Sequence, residues 1–161
     1  ATPAAPAPSS FTEIAGFLVQ EVGITRRPEV AKVIDVATNP QSGFVDPAAR
    51  RHSAAVARPL SLDADIRPVV GFLQSLGADA EAVRGLICSY PLVLAYDVDD
   101  RLKPMVAFLQ EIGVPDTVAV LQQRPSLMGL TRGENLERIV DYLRSVDTPP
   151  DKIVEYVSKS I

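Results

Sequence analysis

The sequence predicts an all-α fold: a short α-solenoid of about four helical repeats, each with two helices plus a short third turn. Three observations predict it. First, Ile66-Arg67-Pro68-Val69-Val70-Gly71-Phe72-Leu73-Gln74-Ser75-Leu76-Gly77 returns as Leu102-Lys103-Pro104-Met105-Val106-Ala107-Phe108-Leu109-Gln110-Glu111-Ile112-Gly113, at a constant offset of 36 residues. Self-similarity at that period is the mark of a repeat architecture. Second, each copy ends on a small or turn-prone residue where a left-handed helix stop is wanted: Gly23, Gly77, Gly113, and Asp147 in the last. Third, the helix that follows each of the first three stops runs into a proline, at Asn39-Pro40, Tyr90-Pro91 and Arg124-Pro125, a segment the last repeat lacks. The residue before proline is pushed out of the α region, so these are physical terminators.

In chain order, residues 1–10 carry Pro3, Pro6 and Pro8. They are expected to form an extended, polyproline-like tail whose order depends on contacts with a partner. Residues 11–44 form a divergent first repeat, where Leu18-Val19-Gln20-Glu21-Val22-Gly23 matches residues 72–77 position by position in type. Residues 45–60 are a basic insertion containing Arg50, Arg51, His52 and Arg58. Residues 61–161 hold repeats two to four.

In repeat two, the second helix places Val83, Leu86 and Ile87 on one face. In repeat three, Val118 and Leu121 do the same on a helix opened by Pro115, and Pro149 repeats that opening with Thr148 as cap. Pro68 and Pro104 belong in the first turn of their helices, where a missing N–H does least harm. Residues 92–94 and 126–128 are short enough for a 3₁₀ turn or a brief third helix. The recurring Phe72, Leu73, Leu76, Phe108, Leu109, Ile112, Tyr142 and Leu143 are the expected core.

The bulk numbers narrow the function. Sixteen basic residues face twenty acidic ones, for a net charge of −4. Residues 1–60 are net +1 and residues 61–161 net −5. An acidic chain disfavours phosphate backbones, whose binding is dominated by Lys and Arg. No apolar run approaches the ~20 residues needed to cross a bilayer, so any membrane association would be peripheral and through partners. One cysteine, Cys88, precludes an intrachain disulfide. The start at Ala1 reads as the product of targeting-peptide removal.

The sequence offers no enzyme chemistry. Nucleophilic catalysis needs a nucleophile, a base and an orienting group, yet the only His is His52 and the only Cys is Cys88. Cys88 lies on an apolar helix face and reads as core packing. Asp97-Val98-Asp99-Asp100 suggests a metal, but reads better as an N-cap with dipole-favourable acids before the next helix. No catalytic, metal or cofactor-binding residue is expected, and no cofactor. Candidate partner-binding residues are Arg26, Arg27, Arg50, Arg51, His52, Arg58, Pro3, Pro6 and Pro8, with Arg67 near the same patch. Aromatics are not interleaved with these charges, so base-stacking readout is unsupported.

A proline-opened helix, then Phe-Leu-x-x-Leu/Ile-Gly, a second helix and x-Pro-x-Leu resembles the mitochondrial transcription termination factor (mTERF) family. The match covers about two-thirds of the chain and is most specific in repeats two and three. The resemblance implies an α-solenoid of short helix triplets in a mitochondrion or chloroplast. It also implies nucleic-acid binding in organellar transcription, RNA processing or ribosome assembly, without a catalytic site. Two readings follow. One is a non-catalytic scaffold or linker subunit, its partners the other protein subunits of a large organellar assembly such as a photosynthetic complex, ribosome or polymerase. The other is an mTERF-like nucleic-acid-binding regulator of transcription or RNA metabolism. Either would work in the chloroplast stroma or mitochondrial matrix.

Overall fold

Ser10 opens the first helix with a reciprocal cap: its hydroxyl accepts from the Glu13 N–H, and the Glu13 carboxylate accepts from the Ser10 N–H, both at 3.2 Å. Two otherwise orphaned donors are thereby satisfied. Just before it, the Ser9 N–H donates to the Leu60 carbonyl at 2.8 Å, and the Ser9 hydroxyl accepts from the Leu62 N–H at 2.9 Å. The end of the proline-rich stretch is thus tied to the chain itself through Ser9. The computed structural model describes residues 7–48, 56–130 and 133–159. Pro3, Pro6, Arg50, Arg51 and His52 lie outside the described residues.

Helix α1 (Phe11–Phe17) continues without a break into a π turn, Leu18–Val22, and stops at Gly23. Helix α2 (Arg27–Thr38) follows, with Pro28 in its first turn. In the second repeat, a π turn (Leu62–Ile66) leads into α3 (Arg67–Ser75), then α4 (Ala80–Ser89) and a 3₁₀ turn (Pro91–Ala95). The third repeats this order: a π turn (Val98–Leu102), α5 (Lys103–Ile112), α6 (Thr117–Gln123) and a 3₁₀ turn (Pro125–Gly129). The fourth has only α7 (Glu134–Ser145) and α8 (Pro150–Lys159). The described residues are all-helical, with no strand, as the repeat pattern requires.

The stops are built as the sequence predicts. Gly23, Gly77 and Gly113 have φ of 86°, 98° and 102°, and Asp147, the substitute for glycine, has φ of 59°. The residue after each of the last three donates back five positions: Ala78 to Leu73, Val114 to Leu109 and Thr148 to Leu143. This is the bond that satisfies a terminal carbonyl in a left-handed helix stop.

The helix starts differ from expectation. Pro68 and Pro104 do stand in the first regular α-turn, but helical backbone already runs five residues ahead of it as a π turn. A proline ring clashes with the carbonyl four residues back. The wider turn relieves that clash: the Arg67 N–H donates to Leu62 and the Lys103 N–H to Val98, each five back. Ser61 and Asp97 cap these turns at the same repeat position, accepting from the Ala64 and Asp100 N–H groups. Asp99 pairs with Lys103 at 2.7 Å. Pro115 lies outside α6, whose cap is Asp116, and Pro149 supplies the carbonyl that α8 builds on, in place of Thr148. Asp accepts the N2 or N3 amide more readily than Pro can arrange, which sets the boundary.

Two compact units result, Ala1–Tyr96 and Asp97–Ile161. In the first, Leu18, Leu60, Ile66, Leu73, Leu86, Ile87 and Leu94 are fully buried, and α2 packs on the 3₁₀ turn whose five residues are all buried. In the second, Leu102, Met105, Leu109, Leu121 and Leu127 are fully buried, with α5 against α8. Of the expected core, Leu73, Phe108, Leu109 and Ile112 are buried, while Phe72, Leu76 and Leu143 are half-buried. Tyr142 is 65% exposed, contrary to expectation. It occupies the Phe108 position in the last repeat. A repeat buries that face only where another part of the array lies on it, and nothing among the described residues covers Tyr142.

Candidate functional site

Of the basic residues expected to form one patch, the adjacent Arg26 and Arg27 line different hollows. The left-handed Gly23 and the buried Ile24 direct the chain into α2, with Arg26 extended (φ −89°, ψ 118°) and Pro28 fixing the next turn. Arg26 lines a cleft of about 290 Å³ with Glu29, Arg84 and Cys88. Arg27, its neighbour, lines a different hollow of about 530 Å³ between α1 and α2.

Arg58 and Arg67 serve mainly as internal ties. Arg58 donates to the Asp65 carboxylate at 2.8 Å and to the Ala95 carbonyl at 3.3 Å. It thus links the chain before α3 to the end of the 3₁₀ turn. Burial alone would raise the Asp65 carboxyl. The Arg58 hydrogen bond, the Ser61 N–H and the Arg58 charge together hold it below the ordinary value. Arg67 pairs with Asp63 at 3.1 Å and lies 4.9 Å from the centre of the Phe17 ring, a cation–π contact. Pro8 is exposed, beside the Ser9 bonds described above.

Cys88 is half-buried at the wall of the Arg26 cleft and is not part of the core proper. Burial first, then the Glu29 carboxylate, push its thiol up to about 11. The thiol is therefore protonated near neutrality and a poor nucleophile. Among the described residues, no group of three His, Cys, Asp or Glu side chains is placed to hold a metal ion. Asp97 caps its helix turn and Asp99 is in an ion pair, so the acidic run has structural work. Among the described residues, no single helix is long and apolar enough to cross a membrane.

Sequence reasoning missed Arg84 and Glu29, which approach Arg26 only through the packing of α4 near α2. It also missed the α1–α2 hollow. A signal for the hollow was present: Ala15 and Gly16 set two small residues side by side on α1. Another missed feature is the Tyr90–Tyr96 pair, with hydroxyls 2.7 Å apart and rings tilted at 48°, which clasps the two ends of the 3₁₀ turn.

The described surfaces offer a small cleft lined by Arg26, Arg84 and Glu29 and an apolar hollow edged by Arg27. Compared with known proteins, the chain matches the family model described as mTERF over residues 59–161. No curated protein and no solved structure matches it.

Proposed function

The chain belongs to the mTERF family, and on that premise we propose that it is an organellar nucleic-acid-binding regulator of transcription or RNA metabolism, without catalytic activity of its own. The observation that carries this reading is the family match itself, which spans repeats two to four. The cleft carrying Arg26 and Arg84 supports it: neither guanidinium is in an ion pair among the described residues, so both are available to a phosphate. Arginine suits this role because its fork matches phosphate geometry.

Two arginines set a modest scale. The logarithm of affinity should fall with the logarithm of salt at a slope of about −0.9 per phosphate neutralised on duplex DNA. Titrating labelled duplex DNA and single-stranded RNA by anisotropy tests this. Arg26→Ala with Arg84→Ala should weaken binding uniformly across sequences and flatten the salt slope by about 2. Absence of binding at low salt, or an unchanged slope in the double variant, would remove the cleft from the reading.

The acidic balance and the open apolar hollow favour a second reading, a scaffold or linker subunit of a large organellar assembly. Isolation of the native protein with and without nuclease separates the two. Nuclease-sensitive co-migration supports the regulator, and a nuclease-resistant complex supports the scaffold.

A further inference from the structure

The π turn Leu18–Val22 adds one residue before the stop at Gly23, so Ile14, Phe17, Leu18 and Val22, all buried, take the positions that Val69, Phe72, Leu73 and Leu76 hold in the second repeat. Thr12, Ala15, Gly16 and Val19 form a stripe on the adjacent face, where small side chains leave it open. The result is the groove of about 530 Å³, with Ala15 and Gly16 as its floor and Val30 of α2 as the opposite wall. A methyl group at Gly16 would meet nothing within 4 Å. At the two ends of the same stripe, Phe11 and Val19 stand 57% and 47% exposed. Arg27 edges the groove and makes no ion pair or side-chain hydrogen bond among the described residues.

We infer that this groove is filled by α1 of a second copy of the chain, laid antiparallel about a two-fold axis near Ala15 and Gly16. An isologous contact requires one surface to supply both the hollow and what fills it, and α1 does. Small residues at the axis let the two backbones approach. An axis between positions 15 and 16 sets position 11 of one copy opposite position 20 of the other. Phe11 of one copy then enters the half of the groove bounded by Val19 and Arg27 of its partner. The same register carries the first helical turn, with its exposed Glu13, over the half edged by Arg27. Acid meets base twice, once on each side of the axis. The inference is independent of whether the Arg26 cleft binds nucleic acid.

A contact through one helix face is small by the standards of stable dimers. The dimer should therefore be reversible, with a dissociation constant on the order of 10–100 μM. Sedimentation equilibrium of the whole chain should show this monomer–dimer exchange. Gly16→Arg should weaken it at least tenfold while circular dichroism stays unchanged, because the open floor holds the new side chain in the monomer. Arg27→Glu should also weaken it, and adding Glu13→Arg should restore it. In a Cys88→Ser background, Ala15→Cys should form an intermolecular disulfide on air oxidation, since the two positions flank the axis. A chain that stays monomeric throughout that concentration range overturns the inference. So does a dimer that tolerates Gly16→Arg, or one that Ala15→Cys fails to link, because either result assigns dimerisation to another surface.

Discussion

The left-handed helix stops offer the sharpest test of the repeat, because three equivalent positions differ in one respect each. Gly77 has φ of 98° and open space where a methyl group would go. Gly113 has φ of 102°, but a methyl group there would stand 3.3 Å from Pro150 Cγ, the proline that opens α8. Asp147 is the non-glycine of the set, at φ of 59°. An L side chain in this region costs about 1–2 kcal/mol, so Gly77→Ala should destabilise by that amount. At roughly 2–4 °C per kcal/mol for a chain of this size, the melting temperature should fall by about 2–8 °C. Gly113→Ala carries the same backbone cost plus the displacement of a ring that flexes little. Overpacking typically adds about 1–3 kcal/mol. Asp147→Gly should move the other way, by about 0.5–1 kcal/mol, since Asp tolerates the conformation better than most side chains but less well than glycine. Urea and thermal melts followed by far-ultraviolet circular dichroism measure all three. Equal losses for Gly77→Ala and Gly113→Ala would refute the Pro150 contact. A wild-type melt for both would refute the left-handed stops themselves.

Phe108, 2% exposed, and Tyr142, its repeat equivalent in the open last repeat, should behave oppositely. Phe108→Ala should cost about 3–5 kcal/mol, whereas Tyr142→Ser should stay within about 0.5 kcal/mol of wild type in the same melts. The Arg58–Asp65 tie predicts a pH dependence. Asp65 has a folded pKa below its unfolded value, so its contribution is present above the ordinary carboxylate value of 3.8 and is lost as pH falls through the depressed folded value. The stability gap between wild type and Asp65→Asn should therefore be full near neutrality and close in acid; a gap constant down to strong acid would rule out the pair as its source. Finally, Cys88 in the folded chain should react with iodoacetamide at pH 8 far more slowly than in denaturant, because its thiol is pushed up to about 11. Equal rates would show that the folded chain leaves the thiolate accessible.

Much of this molecule was written locally. The 36-residue echo fixed the number and order of helices, the glycines and Asp147 fixed where the first helices stop, and Tyr90-Pro91 and Arg124-Pro125 fixed where the second helices stop. Each depends on sterics within a few residues, so neighbouring sequence is enough to read it. The family followed from the same local signals. Helix starts were less legible, because a π turn is a compromise between proline's clash and continued hydrogen bonding, which no single residue announces. The functional surfaces were decided by tertiary packing. Arg26 and Arg27 are adjacent in sequence yet line different hollows, because successive residues entering a helix diverge by roughly 100°. Arg58 and Arg67 look like patch-forming cations in the sequence, but Asp65, Ala95, Asp63 and Phe17 engage them in the fold. Tyr142 repeats a core position, but no described residue lies over it to bury it. Burial and pairing are properties of what lies opposite a residue, and the fold alone determines what lies opposite.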